Sequence, residues 1–118
     1  MAKWVFTVES NCIDETREAD FNEWYDRIDL PDVLETAGFI KATRYKLESG
    51  LNERYERTGL LDGKGKYFTL YEIETDDIDG VMKALLEGVA TMRERGRLTD
   101  LITVVSRGLY KEISTLSN

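Results

Sequence analysis

An α+β fold with the order β-α-β-β-α-β is predicted for this 118-residue chain by three observations. Four segments are dense in aromatic and β-branched residues, the types that favour strands. Two segments place their apolar residues at helical spacing. The two kinds of segment alternate so that two helices cross over one four-stranded antiparallel sheet, which is the ferredoxin-like pattern. The length fits one domain over residues 1–118, large enough to bury a core without disulfide bonds.

Residues 3–9, Lys-Trp-Val-Phe-Thr-Val-Glu, read as the first strand. The polar run from Ser10 to Thr16 offers Asp14 and Thr16 as helix caps. Phe21, Trp24, Tyr25 and Ile28 then fall at i, i+3, i+4 and i+7, an amphipathic helix with a mostly aromatic face. Pro31 has no N–H and disfavours helix at the residue before it, so the helix is predicted to end near Ile28 to Leu30. One more short turn over Asp32 to Thr36 would be closed by Gly38. Phe39 to Leu47 is the second strand. Glu48 to Lys66 scatters Gly50, Gly59, Gly63 and Gly65 among charges and reads as a long loop or irregular hairpin. Tyr67 to Glu74 is the clearest strand.

Thr75 to Asp79 opens the second helix with a threonine cap and three aspartates that suit the positive end of its dipole. Ile78, Val81, Met82, Leu85, Val89 and Met92 form its apolar stripe. Arg93, Arg95 and Arg97 lie at its negative end, either as an anion site or as complement to the dipole, with Gly96 as C-cap. Leu101 to Tyr110 is the last strand. In the third strand one parity carries Tyr67, Thr69, Tyr71 and Ile73 and the other Phe68, Leu70 and Glu72. Both hold large apolar groups, so the face without helices also needs a cover. A second copy of the sheet, related by a two-fold axis, supplies one.

A formal charge of −7 argues against nucleic acid or an anionic membrane as partner. Cys12 is the single cysteine, which excludes an internal disulfide and fits a reducing compartment; the expected location is cytoplasmic. No signal peptide or transmembrane run is visible. The chain has no histidine. That removes the side chain most used for proton transfer near neutral pH, the usual ligand of zinc, copper and non-haem iron, and any Ser-His or Cys-His pair. No metal and no cofactor are expected.

Phe21-Asn22-Glu23-Trp24-Tyr25-Asp26, then Leu30-Pro31-Asp32-Val33-Leu34, Gly38-Phe39, Arg44-Tyr45 and the strand Tyr67 to Glu72 together resemble the dimeric α+β barrel superfamily, and within it the EthD-like branch. The element order agrees over nearly the whole chain. The resemblance implies a ferredoxin-like protomer that dimerises into an α+β barrel. It implies little about activity, since the superfamily includes muconolactone isomerase, cofactor-independent monooxygenases of antibiotic pathways and polyketide cyclases. Proteins of this branch commonly carry histidine just before Leu-Pro; here that position is Asp29. A histidine mechanism does not transfer, but a carboxylate there can act as acid or base if burial raises its pKa.

The candidate catalytic residues are therefore Asp29, Arg44 and Tyr25. Asp29 would move a proton, and Arg44 or Arg107 would stabilise enolate-like charge. Trp24, Tyr45, Tyr67, Tyr71 and Arg107 are candidates for lining a substrate pocket; Arg44 and Tyr45 alternate on a strand, so only one of the two can face it. The expected function is a cofactor-free enzyme performing proton-transfer chemistry (isomerisation, cyclisation or a lyase step) on a hydrophobic, aromatic, oxygenated metabolite. A monooxygenase of the same shape is the nearest enzymatic variant. The alternatives are a non-catalytic small-molecule binding or accessory protein of a catabolic or biosynthetic pathway, and a purely structural dimer. The expected partners are a second copy of the chain and a small hydrophobic or aromatic molecule.

Overall fold

Period-two alternation of aromatic and aliphatic residues builds four strands, and they join in the order β2-β3-β1-β4, every neighbouring pair antiparallel. The computed structural model describes residues 1–118. The strands are β1 (Ala2–Cys12), β2 (Phe39–Lys46), β3 (Tyr67–Thr75) and β4 (Ile102–Lys111). The longest strand, β1, and β3 lie at the centre. The bounds match the sequence expectation to within two or three residues, including the free thiol of Cys12 at the end of β1.

The first crossover differs from expectation. Asp14 accepts from the Thr16 N–H at 3.0 Å and opens a 3-10 turn over Glu15–Arg17. Helix α1 (Glu18–Trp24) follows, then a five-residue π turn (Tyr25–Asp29), then α2 (Leu30–Leu34), all with helical backbone. Pro31 therefore does not stop the helix. The π turn shifts the bonding by one residue, so that the Leu30 N–H reaches the Tyr25 carbonyl five back. The extra residue absorbs the strain of a proline, which then occupies the first turn of α2, where no amide donor is needed. Asp29 consequently sits inside a continuous helical rod rather than at its end.

Chain reversal into β2 needs Gly38. Its φ is +99°, and a Cβ there would stand 2.9 Å from Val81 Cγ2. The segment Glu48 to Lys66 is not all loop: Ser49–Glu56 forms α3, capped by the Glu48 carboxylate accepting from Gly50 N–H at 3.2 Å. No residue of α3 is buried. The return to β3 is tied to β1 by Gly65 N–H donating to Glu9 Oε1 at 2.7 Å and Lys66 N–H to Asn11 Oδ1 at 2.8 Å. The Gly65 amide first, against burial, and then the Lys64 amide and the Ser106 hydroxyl hold the Glu9 carboxyl below its usual range.

Helix α4 (Ile78–Glu94) starts on Asp77, which accepts from Gly80 N–H at 3.0 Å, while Thr75 accepts from the Asp77 N–H. Aspartate rather than the expected threonine is thus the cap. The left-handed Gly96 follows the helix end as predicted. No helix is long and apolar enough to cross a membrane.

All helices that pack on the sheet cover one face. The buried parity of β3 is Tyr67, Thr69, Tyr71 and Ile73. Register places Trp4, Phe6, Val8 and Ser10 of β1 beside them on that face, with Phe39, Ala42 and Arg44 of β2 on the other side. Val8, Val33, Phe39, Tyr71, Ile73, Val81 and Leu85 form one core cluster; Phe21, Tyr25, Tyr67 and Leu101 form a second. The opposite face carries Val5, Thr7, Thr43, Tyr45, Phe68 and Leu70, with no layer above it.

Candidate functional site

Between the helices and the sheet lies a cavity of about 450 Å³, within the size range of small-molecule sites. The sheet supplies its floor through Phe6, Val8, Tyr71 and Val104, the π turn one wall through Trp24, Tyr25 and Asp29, and α4 the other through Met82, Leu85, Val89 and Met92. Of 18 lining residues, 14 are hydrophobic. The stripe that makes α4 amphipathic is therefore both core and cavity wall.

Asp29 is the one acid in this lining. Because the π turn aims it inward, its Oδ2 accepts from the Tyr71 hydroxyl at 2.7 Å. Burial pushes the Asp29 carboxyl above the usual aspartate range; the Tyr71 hydrogen bond opposes that rise, the charge of Asp32 adds to it and the charge of Arg44 again opposes it. The Tyr71 phenol is itself held protonated far above its usual value, first by burial and then by the facing carboxylate. Tyr25 is raised for the same first reason. The result is a carboxylate with two protonated phenols beside it in an apolar enclosure. Such a carboxyl can accept a proton from a bound molecule and return it. Ser10 Oγ, on β1, is buried without a hydrogen-bond partner.

Trp24 borders the cavity and is fixed by its indole N–H donating to the Arg97 carbonyl at 2.7 Å. Arg97 also grips Asp32 with two bonds of 2.7 and 3.0 Å, pinning the loop after α4 to α2. Of the arginine cluster, Arg97 is thus structural, whereas Arg93 reaches the cavity.

Five of the eight candidate residues meet here: Asp29, Tyr25, Trp24, Tyr71 and Arg107. Three do not. Arg44 shares the helix-facing side of the sheet, but its guanidinium donates to Asp26 Oδ1 at 2.9 Å and Asn22 Oδ1 at 2.8 Å. It lies 4.3 Å from the Tyr25 ring centroid and 5.4 Å from that of Tyr67, inside an aromatic box rather than against the cavity. Its contribution is to position Tyr25 and add positive charge near Asp29. Tyr67 belongs to the same box beneath Phe21. Tyr45 points to the open face, 53% exposed and beside Phe68. Sequence reasoning missed Arg93 as a lining residue, although the arginine cluster and the apolar stripe both indicated that face of α4. No three carboxylates or thiols converge as a set of metal ligands.

Known structures share the fold along the whole chain. A dimeric ferredoxin-like protein from an uncultured marine organism superimposes with a TM-score of 0.56 at 15% identity, covering 100% of both chains. This chain has the ferredoxin-like α+β fold. A protein assigned as an antibiotic biosynthesis monooxygenase from Bordetella bronchiseptica gives a TM-score of 0.60 at 14% identity over 98% of this chain and 100% of its own. An ethyl tert-butyl ether D (EthD) family protein from Bacillus halodurans gives 0.53 at 18% identity, over 96% of this chain and 100% of its own. No protein-family model matches the sequence, and no curated protein matches it. At these identities the likeness is one of fold, and a ferredoxin-like fold hosts many chemistries.

Proposed function

We propose that the protein is an enzyme that moves a proton on a hydrophobic, oxygenated small molecule, with Asp29 as the base and then the acid. The observation that carries this reading is the Asp29 carboxyl, raised in pKa and bonded to Tyr71 within an apolar cavity. Asp29 would take a proton from carbon next to a carbonyl, leaving an enolate. Tyr25, whose ring borders the same space, would donate a hydrogen bond to the enolate oxygen. Returning the proton from Asp29 to a different carbon completes an isomerisation; ring closure or elimination before its return gives a cyclase or lyase. None of these steps changes the oxidation state of the substrate overall, so the residues present suffice. Support for a small-molecule role also comes from the fold, shared with a protein assigned as a monooxygenase. The free thiol of Cys12 fits a reducing, cytoplasmic setting.

The test is hydrogen–deuterium exchange at carbon in heavy water, followed by NMR over a panel of apolar aromatic ketones, lactones and phenols. Parent protein should catalyse exchange in at least one class, and Asp29→Asn should not. Equal exchange by both proteins would remove Asp29 from the chemistry.

A binding role without turnover is the second reading, favoured by the absence of histidine. It requires ligand affinity with no exchange in the parent protein, and only a modest change in affinity for Asp29→Asn.

The same reading includes a homodimer. Val5, Phe68 and Leu70 lie on the sheet face that carries no helices. A second copy of that face is the cover whose strand pattern matches it.

A further inference from the structure

We propose that the molecule held in the cavity is an organic acid: an apolar body seated against Asp29 and Tyr71, with its anionic group held by Arg107 at the edge of the sheet. This rests on the cavity being the ligand site and is independent of whether turnover occurs there.

The chain carries seven more formal negative than positive charges, yet the cavity rim is cationic. Its lining holds two arginines, Arg93 and Arg107, against the single acid Asp29. The six ion pairs of the protein lie elsewhere, and neither arginine donates a side-chain hydrogen bond. Both are exposed. Around them the rim is apolar, with Leu86 70% exposed and Leu98 37%. Arg93 sits in the last turn of α4, where it complements the helix dipole; Arg107, on the edge strand, has no such role.

Register sets the spacing. Arg107 pairs with Val8 on β4, the edge strand, and Tyr71 pairs with Phe6 on β3. They are separated by β1 and offset by the two residues from Phe6 to Val8 along it, about 12 Å between backbones. Arg107 and the Tyr71–Asp29 pair thus line the same apolar trough from opposite sides of β1. Like charge at the inner end repels an anion and opposite charge at the rim attracts it, so an organic acid can enter in one direction only. That direction puts its uncharged, oxygenated end against Asp29. Arginine suits the task because its planar fork meets carboxylate or sulfonate oxygens with two bonds.

A matched pair of fluorescent probes tests this: anilinonaphthalene sulfonate, an anion, and phenylnaphthylamine, its uncharged counterpart. Equilibrium titrations use the parent protein and the variants Arg107→Gln, Arg107→Lys, Arg93→Gln, Arg54→Gln as an exposed control on α3, and Val89→Trp to fill the cavity, each checked for folding by circular dichroism. The parent should prefer the anion. Arg107→Gln should weaken the sulfonate about tenfold and leave phenylnaphthylamine within about twofold, while Arg107→Lys restores part of the loss and Arg54→Gln changes nothing. Val89→Trp should weaken both probes. Equal affinities for both probes in the parent, or an Arg107→Gln variant that binds the sulfonate as the parent does, overturns the organic-acid proposal while leaving the cavity as a ligand site. If neither probe binds, or Val89→Trp affects neither, both the proposal and the cavity reading fail. A loss in Arg93→Gln alone moves the anion to α4 and also overturns the assignment to Arg107.

Discussion

At the scale of single residues, Asp29 is held where its charge is unfavourable. Burial raises its native pKa, so the folded protein binds the proton more tightly than the unfolded chain does. Its contribution to stability is therefore neutral below the ordinary aspartate value of 3.8 and becomes progressively worse as pH rises through the native value. Asp29→Asn should raise the thermal midpoint at neutral pH but not at pH 3; a gain of about 1 kcal/mol would appear as about 4 °C. The same substitution should lower turnover by about a hundred- to ten-thousandfold. Calorimetry at two pH values beside the exchange assay checks both directions, and loss of stability at neutral pH would contradict the burial argument. Arg44 presents the opposite case. Its bonds to Asn22 of α1 and Asp26 of the π turn, with the rings of Tyr25 and Tyr67, make it a structural cation. Arg44→Met should cost about 1–3 kcal/mol in chemical denaturation through the unpaired Asn22 and the lost charge-assisted bonds. Asp29 was readable in the sequence because it precedes Leu-Pro after an aromatic helix face. Arg44 was not, because a strand arginine facing a cavity and one gripped by Asp26 and Asn22 share the same local pattern.

Among the elements, the π turn does the positioning. One residue more than an α turn rotates everything after Tyr25, and that rotation aims Asp29 at Tyr71. Deleting Arg27, an exposed-edge residue of the turn, should turn Asp29 away by about 100°. The chain should still form its sheet, but turnover should disappear and the pH dependence of stability contributed by Asp29 should vanish, as NMR titration of the carboxyl would report. The turn left no trace in sequence periodicity: Phe21, Trp24, Tyr25 and Ile28 fit an ordinary helix, and Pro31 then signalled a stop. Helix α3 was hidden for a different reason. Leu51 and Tyr55 are its only large apolar residues, both exposed, so it has no buried stripe to read. Gly38 was legible as a turn residue, and the structure adds the contact with Val81. Gly38→Ala combines a left-handed backbone with that overlap and should destabilise by roughly 1–3 kcal/mol.

At the scale of the whole molecule, the order of elements and the existence of four strands with two apolar sides follow from the pattern of the sequence. What alternation could not decide was which parity of β3 meets the helices; burial assigns Tyr67, Thr69, Tyr71 and Ile73 to them and leaves Phe68 and Leu70 outward. If two copies pack through the outward face, light scattering at micromolar concentration should give twice the chain mass. Leu70→Asp should then yield a folded single chain, because a charge would be buried in the joined sheets. A parent protein that stays a soluble single chain would remove the paired-sheet arrangement.

The partition of the sheet into two sides has an evolutionary consequence. Strand β3 interleaves two messages, one residue for the helix-covered side and the next for the outer face, so substitutions can revise either message while the other stays intact. Ligand preference can drift through Met82, Leu85 and Val89 while the outer face keeps its own history. Insertions have no such freedom. One residue added within β3 would send Tyr71 outward and Leu70 inward, exchanging both messages at once. Lineages carrying this architecture should therefore diverge freely by replacement, and accept changes in length in the stretch around α3 or at the edge strands β2 and β4, whose pairing already accommodates an extra residue.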